Sequence, residues 1–227
     1  MDQQREEIPS TRGLLGARHP GELENVITHG VALLLSLPAV YLLVTRTPTA
    51  ADFRRCLIYG LTMIFAYAAS TCLHTAVLLS VEHRIRYVFE IVDHAAIYLF
   101  IAGTFTPFMS RVGGPHGAML LAGGWLTAFA GIIFKVVCGL KYGRLSLASY
   151  LAMGWFPLVT FHSILHASSS ASVLWLLLGG VFYTGGTWFF VAAHKRPRLH
   201  ALWHLAVILG SACHYAAVWL AIIRPEG

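Results

Sequence analysis

The sequence predicts an all-α integral membrane protein, a bundle of seven transmembrane helices with its N-terminus cytoplasmic and its C-terminus extracytoplasmic. Three observations carry that expectation. Charged residues make up only 11% of the 227-residue chain and apolar ones 57%, too little charge to cover a soluble surface. Apolar stretches of roughly 20 residues recur, the length needed to cross about 30 Å of hydrocarbon. The connectors between them are short, which makes successive helices antiparallel and leaves no room for a soluble domain.

Charged or Gly/Pro punctuation places the seven helices near 24–45, 57–80, 92–110, 117–138, 145–165, 173–193 and 200–222. The first follows a polar tail at 1–21 and ends before Thr47-Pro48; the second ends at Glu82-His83-Arg84. The third stops before Gly113-Gly114-Pro115, and the fourth before Gly139 and the basic turn around Lys141. The fifth contains Pro157, expected to kink it, and runs into a Ser-rich loop. The sixth and seventh are separated by His194-Lys195-Arg196-Pro197-Arg198. The chain thus divides into a tail, 1–21, and one transmembrane domain, 22–223. Threading the helices through the bilayer puts eleven Lys and Arg on the side of the N-terminus and five on the other. The positive-inside rule makes the first side cytoplasmic.

The formal net charge of +6 then reflects loops lying on an anionic leaflet. No basic patch interleaved with aromatics argues for nucleic acid. Asp2, Glu6 and Glu7 stand where a secretory signal would be basic, so helix one is expected to remain as a span. Cys56, Cys72, Cys138 and Cys213 lack the close spacing of a zinc knuckle or disulfide framework and are read as small buried residues, with Cys72 close enough to His74 in sequence to lie near a site there. Seven spans do not divide into equal halves, which argues against an inverted-repeat transporter. The Ala/Arg/Gly-rich composition without sorting signals points to a bacterial inner membrane.

The rare polar side chains converge at one depth. His74 lies in the cytoplasmic third of helix two, Asp93 and His94 at the inner end of helix three, and His200 and His204 at the start of helix seven. Glu22, Asn25 and His29 share one face of helix one at the same end. Titratable groups are costly in hydrocarbon, so such convergence marks a functional layer. Three neutral imidazoles can hold Zn²⁺ and leave its fourth position open, the arrangement of a catalytic site. His74 and the i, i+4 pair His200/His204 are the expected metal ligands. Asp93 is expected to accept a proton or hydrogen bond from the zinc-bound water. Ser70, one turn before His74, is expected to donate to an oxyanion or to orient the imidazole.

Alternatives accompany these assignments. Ser70 could bond back to the carbonyl four residues earlier, and Asp93 could cap helix three. Glu22, Asn25 and His29 read as a polar network tying helix one to its neighbours. His162 and His166 repeat the i, i+4 spacing but fall at the opposite end of the bundle, beside the Ser-rich loop, and read as solvated. His214 lies fourteen residues after His200, a haem-ligand spacing, but no other predicted helix supplies the matching pair, so it reads as a hydrogen-bonded core residue.

Several motifs in order, from about residue 22 to 217, resemble the PAQR/hemolysin III family. They are Glu22-x-x-Asn25-x-x-Thr28-His29-Gly30, Ser70-x-x-x-His74, Asp93-His94, Gly103-Thr104-Phe105-Thr106-Pro107, Met153-Gly154-Trp155, Gly180-x-x-Tyr183-Thr184-Gly185, His200-x-x-x-His204, Gly210-Ser211 and His214. The short N-terminal region is similar to the bacterial branch, which includes membrane-homeostasis proteins. The resemblance implies seven helices, a cytoplasmic N-terminus and zinc held by His74, His200 and His204, with Asp93 near the bound water. The superfamily's similarity to alkaline ceramidases implies hydrolysis of a lipid amide or ester within the bilayer, the lipid entering sideways. Two other functions are open at this stage: a non-catalytic sensor or receptor stapled by zinc, and a cytolytic protein, which an already hydrophobic chain disfavours.

Overall fold

The structure, a computed structural model, describes residues 21–223. Apart from Gly21, the expected tail at 1–21 lies outside the described residues, as does Arg224. The elements are α1 (Glu22–Thr45), α2 (Ala50–Leu78), α3 (His83–Val112), α4 (Gly114–Cys138), α5 (Gly143–Trp155), a 3-10 segment (Phe156–Thr160), α6 (Phe161–Ala167), α7 (Ser170–Ala193) and α8 (Leu199–Ile222). Six of these helices, α1 to α4, α7 and α8, are long and apolar enough to cross a membrane. The fold is an integral membrane helical bundle.

Two helices begin earlier than their apolar cores suggest. α2 starts at Ala50 because Thr49 caps it: the Thr49 hydroxyl accepts from the Asp52 amide at 3.1 Å and donates to the Asp52 carboxylate at 2.7 Å. Arg55 donates to the same carboxylate at 2.9 Å. α3 starts at His83, so the polar run through Arg86 is helical. Asp93 therefore sits well inside α3, which removes the capping role open to it from sequence.

The stretch expected as a single fifth helix is broken into α5, the 3-10 segment and α6. Pro157 has no N–H to offer the Met153 carbonyl four residues back. The amide of Phe156 takes that carbonyl instead, and the Phe161 amide closes onto Leu158, both at the shorter i to i+3 spacing.

Packing follows chain order: α1 on α2, α2 on α3, α3 on α4, with α7 and α8 the most closely joined pair. α8 returns against α1, and α3 touches α2, α4, α5, α6 and α8, which puts it at the centre. Glycines set the α7–α8 approach. A Cβ on Gly186 would lie 2.6 Å from the Ala206 Cβ, and one on Gly210 would lie 2.7 Å from the Tyr183 ring; small residues let membrane helices meet this closely. Outward faces carry Leu34, Leu35, Tyr41, Leu126, Val137 and Trp188, all exposed, as lipid-facing surfaces require. The four cysteines are free. Cys56 and Cys213 are buried as expected, but Cys72 is exposed: at two residues from His74, it points to the other side of α2, away from the imidazole cluster.

Candidate metal centre

Pro197 ends the α7–α8 connection, and the His200 amide bonds to its carbonyl at 2.9 Å, so α8 begins with His200 and His204 on one face. α2 brings His74 to the same point from its last turns. Ring centroids of His74 lie 5.1 Å from His200 and 4.8 Å from His204, and the α8 pair is 4.7 Å apart. One nitrogen from each ring falls within 4.8 Å of the others. His74 and His204 are buried and His200 half-buried.

A cluster of this kind could hold a metal only if each ring turned a lone pair inward, and two of the rings are held that way. The Glu22 carboxylate lies 2.7 Å from His74 Nδ1. It can only accept, so Nδ1 carries the proton, and Nε2, buried with no hydrogen-bond partner among the described residues, keeps its lone pair. Thr28 Oγ1 donates its single proton to the Glu24 or Asn25 carbonyl, at 2.8 and 3.0 Å. Toward His204 Nδ1, 3.0 Å away, it therefore accepts, and His204 Nε2 is likewise left as a donor of electrons. An orphaned buried imidazole nitrogen is costly, and a metal would relieve it. The donor set fits an ion of the zinc class, three neutral nitrogens with second-sphere partners already in place.

α1 is thus more than a tie to its neighbours. Glu22 and Thr28 orient two of the clustered imidazoles, the Asn25 amide approaches His74 Nδ1 at 3.4 Å, and His29 stacks on His204 with centroids 3.5 Å apart and planes 8° from parallel. The sequence signal was present in the single face formed by Glu22, Asn25 and His29; Thr28 was quoted only within a motif.

Ser70 does not bond back along its helix. Its hydroxyl pairs with His29 Nδ1 at 2.7 Å, and Asp93 interacts with it from α3. Asp93 makes no hydrogen bond to the three clustered imidazoles among the described residues, but it lines the same cavity. His94 turns its Nδ1 to the Glu90 carbonyl on its own helix, at 2.7 Å. His162 and His166 are exposed, 3.2 Å apart, and far along the chain from the cluster's helices. His214 is hydrogen-bonded, its Nε2 3.1 Å from the Leu176 carbonyl.

The cluster lines a cavity of about 1260 Å³ whose wall also includes Phe100, Phe105, Tyr150, Trp155, Leu176 and Tyr183. That exceeds the roughly 300–1,000 Å³ of ordinary small-molecule pockets and is mostly apolar.

Comparison with known proteins accords with this architecture. The profile of the family described as Haemolysin-III related matches residues 18–215. The chain belongs to this hemolysin III (PAQR) family. Among hemolysin III relatives it is 37% identical over 207 residues to Hemolysin-3 of Bacillus cereus, covering 89% of this chain and 92% of that protein. It is 38% identical over 208 residues to a Hemolysin-3 homolog of Bacillus subtilis, covering 89% and 95%. More distant kin include the human monocyte to macrophage differentiation factor, 32% identical over 173 residues with 74% and 70% covered. The heptahelical transmembrane protein ADIPOR2 of Oryza sativa is 29% identical over 183 residues, with 69% and 79% covered. Family membership and the apolar helices together make the chain a multi-pass membrane protein.

Proposed function

We propose that the protein is a zinc-dependent intramembrane hydrolase of lipid amides or esters, acting in membrane-lipid homeostasis in a bacterial inner membrane. The observation that carries this is the buried His74 Nε2, unpartnered among the described residues, in a cluster of three imidazoles lining an apolar cavity large enough for an acyl chain. Zinc, which His74, His200 and His204 would hold, would supply Lewis acidity to polarise a carbonyl and to make water nucleophilic near neutral pH. Glu22 and Thr28 hold His74 and His204 in the ligating tautomer. Asp93 takes the proton of the attacking water and returns it to the leaving amine or alkoxide. Ser70, anchored by His29, donates its single hydroxyl proton to the Asp93 carboxylate and, once Asp93 has taken the water's proton, is free to donate to the oxyanion. The apolar wall excludes water and accepts the lipid laterally.

The same proposal takes α5, the 3-10 segment and α6 together as a seventh crossing, with the N-terminus cytoplasmic. The rice relative's printed description as heptahelical and the eleven-to-five distribution of Lys and Arg support it.

Asp93→Asn tests the chemistry. Zinc content and melting temperature are expected to match wild type while hydrolysis of ceramide-like and acyl-ester substrates is lost. Turnover retained in Asp93→Asn, or a zinc-loaded wild type inert toward both lipid classes, would overturn the hydrolase in favour of a metal-stapled receptor.

A further inference from the structure

Lys135 is the least expected residue in the cavity wall. It lies one turn before the end of α4, is 1% exposed, and makes no hydrogen bond or ion pair among the described residues. Its nearest electrostatic partner is Glu90 on α3, beyond ion-pair distance. A buried ammonium without hydrogen-bond acceptors is expensive, yet this one lines the same cavity as the imidazole cluster.

What shares that wall with it suits an anion. The turn 139–142 leads from α4 into α5, and α5 starts with no capping side chain. The first helical bond there runs from the Ser146 amide to the Tyr142 carbonyl, which leaves the amides of Gly143, Arg144 and Leu145 without intrahelical acceptors. Gly143 and Arg144 both line the cavity, and the space a Cβ on Gly143 would enter is open within 4 Å. Arg144 is exposed and makes no ion pair among the described residues. An ammonium, a guanidinium and an uncapped helix N-terminus therefore line one cavity, groups of the kind that bind phosphate. Against them the same wall carries three carboxylates: Glu90, Asp93 one turn on, and Glu22, which is paired with His74.

We infer that the cavity carries a phosphate-binding subsite formed by Lys135, Arg144 and the N-terminus of α5, and that it takes the headgroup of an anionic phospholipid whose acyl chains fill the apolar wall. This rests on the proposal that the cavity receives a lipid, and narrows that lipid to one whose phosphate headgroup carries net negative charge. Lys195, which lines the cavity from the α7–α8 side, adds a third positive charge. A soluble phosphate would satisfy the basic groups alone and leave the apolar wall unused.

The test is binding, independent of turnover. Zinc-loaded and chelator-treated protein in neutral detergent would be titrated with dioleoylphosphatidic acid, dioleoylphosphatidylcholine and inorganic phosphate, read by native mass spectrometry and thermal shift. Phosphatidic acid is expected to bind about tenfold more tightly than phosphatidylcholine, in both metal states, as one desolvated charge-assisted contact would give. Lys135→Met and Arg144→Gln are each expected to erase that preference. Lys141→Gln, which alters a nearby ammonium 5.2 Å over the Tyr142 ring and outside the cavity wall, is expected to keep it. Equal binding of the two lipids, or an undiminished preference in both cavity variants, would overturn the subsite. Inorganic phosphate matching phosphatidic acid in affinity would overturn the assignment to a lipid. Failure of the hydrolase proposal leaves the preference intact, whereas hydrolysis of neutral lipid amides with no preference overturns the subsite alone.

Discussion

Removing the Glu22 carboxylate isolates the part of the site that the helix pattern least reveals. Glu22 Oε2 accepts from His74 Nδ1 at 2.7 Å, with the two side chains 19% and 7% exposed, so little water reaches the pair to replace a lost partner. In Glu22→Ala the buried Nδ1–H loses its acceptor, because the Asn25 amide nitrogen 3.4 Å away is itself a donor, and His74 is free to rotate or change tautomer. Partners of this type set metal affinity by 10–100-fold, or about 1.4–2.7 kcal/mol. The alanine variant belongs at the upper end of that range. Glu22→Gln, which keeps a neutral acceptor in place, belongs at the lower end. Competition against a chromogenic zinc chelator, with detergent-purified protein and a melting curve for each variant, measures both. Wild-type affinity in a folded Glu22→Ala protein would refute the reasoning, because His74 would then need no carboxylate to present Nε2.

Thr28→Val removes the acceptor of His204 Nδ1–H, and zinc affinity is expected to fall about tenfold in the same competition assay. Gly186→Ala forces a methyl group against Ala206 across the α7–α8 contact and is expected to destabilise by about 1–3 kcal/mol. Gly154→Ala meets nothing within 4 Å and is expected to be neutral or to gain up to about 1 kcal/mol from the helix preference for alanine; thermal melts compare the two. A reporter active only outside the cytoplasm, fused after Gly227, is expected to be active if the bundle makes seven crossings from a cytoplasmic N-terminus, and silent if it makes six.

Much of the bundle was legible because hydrocarbon imposes strong rules on sequence. Six spans stand out as long apolar runs, and the imidazoles of α2 and α8 meet because their depth follows from where each helix starts. The fifth segment was only half legible: Pro157 announced a disturbance, but the handover of the Met153 carbonyl to Phe156, and the resulting 3-10 segment, depend on backbone bonds that periodicity does not encode. Helix starts at Ala50 and His83 were missed because polar residues there obey caps and turns outside the apolar core. The site lost its orienting partners for a similar reason. Glu22 stands 52 residues from His74 and Thr28 176 residues from His204, and rotation of α1 about its axis decides whether they tie helices together or aim imidazoles. Lys135 was counted only as a cytoplasmic charge; burial alone distinguishes it from Lys141.

The central claim is a metal held by three histidines, and elemental mass spectrometry of detergent-purified protein tests it most directly. Wild type is expected to carry about one zinc per chain, as a tri-histidine site would, and His74→Ala and His200→Ala, checked as folded by thermal melt, are expected to carry none. A folded wild type, never exposed to chelator, that contains no stoichiometric metal would contradict the account and leave the imidazole layer as a hydrogen-bonded structural network.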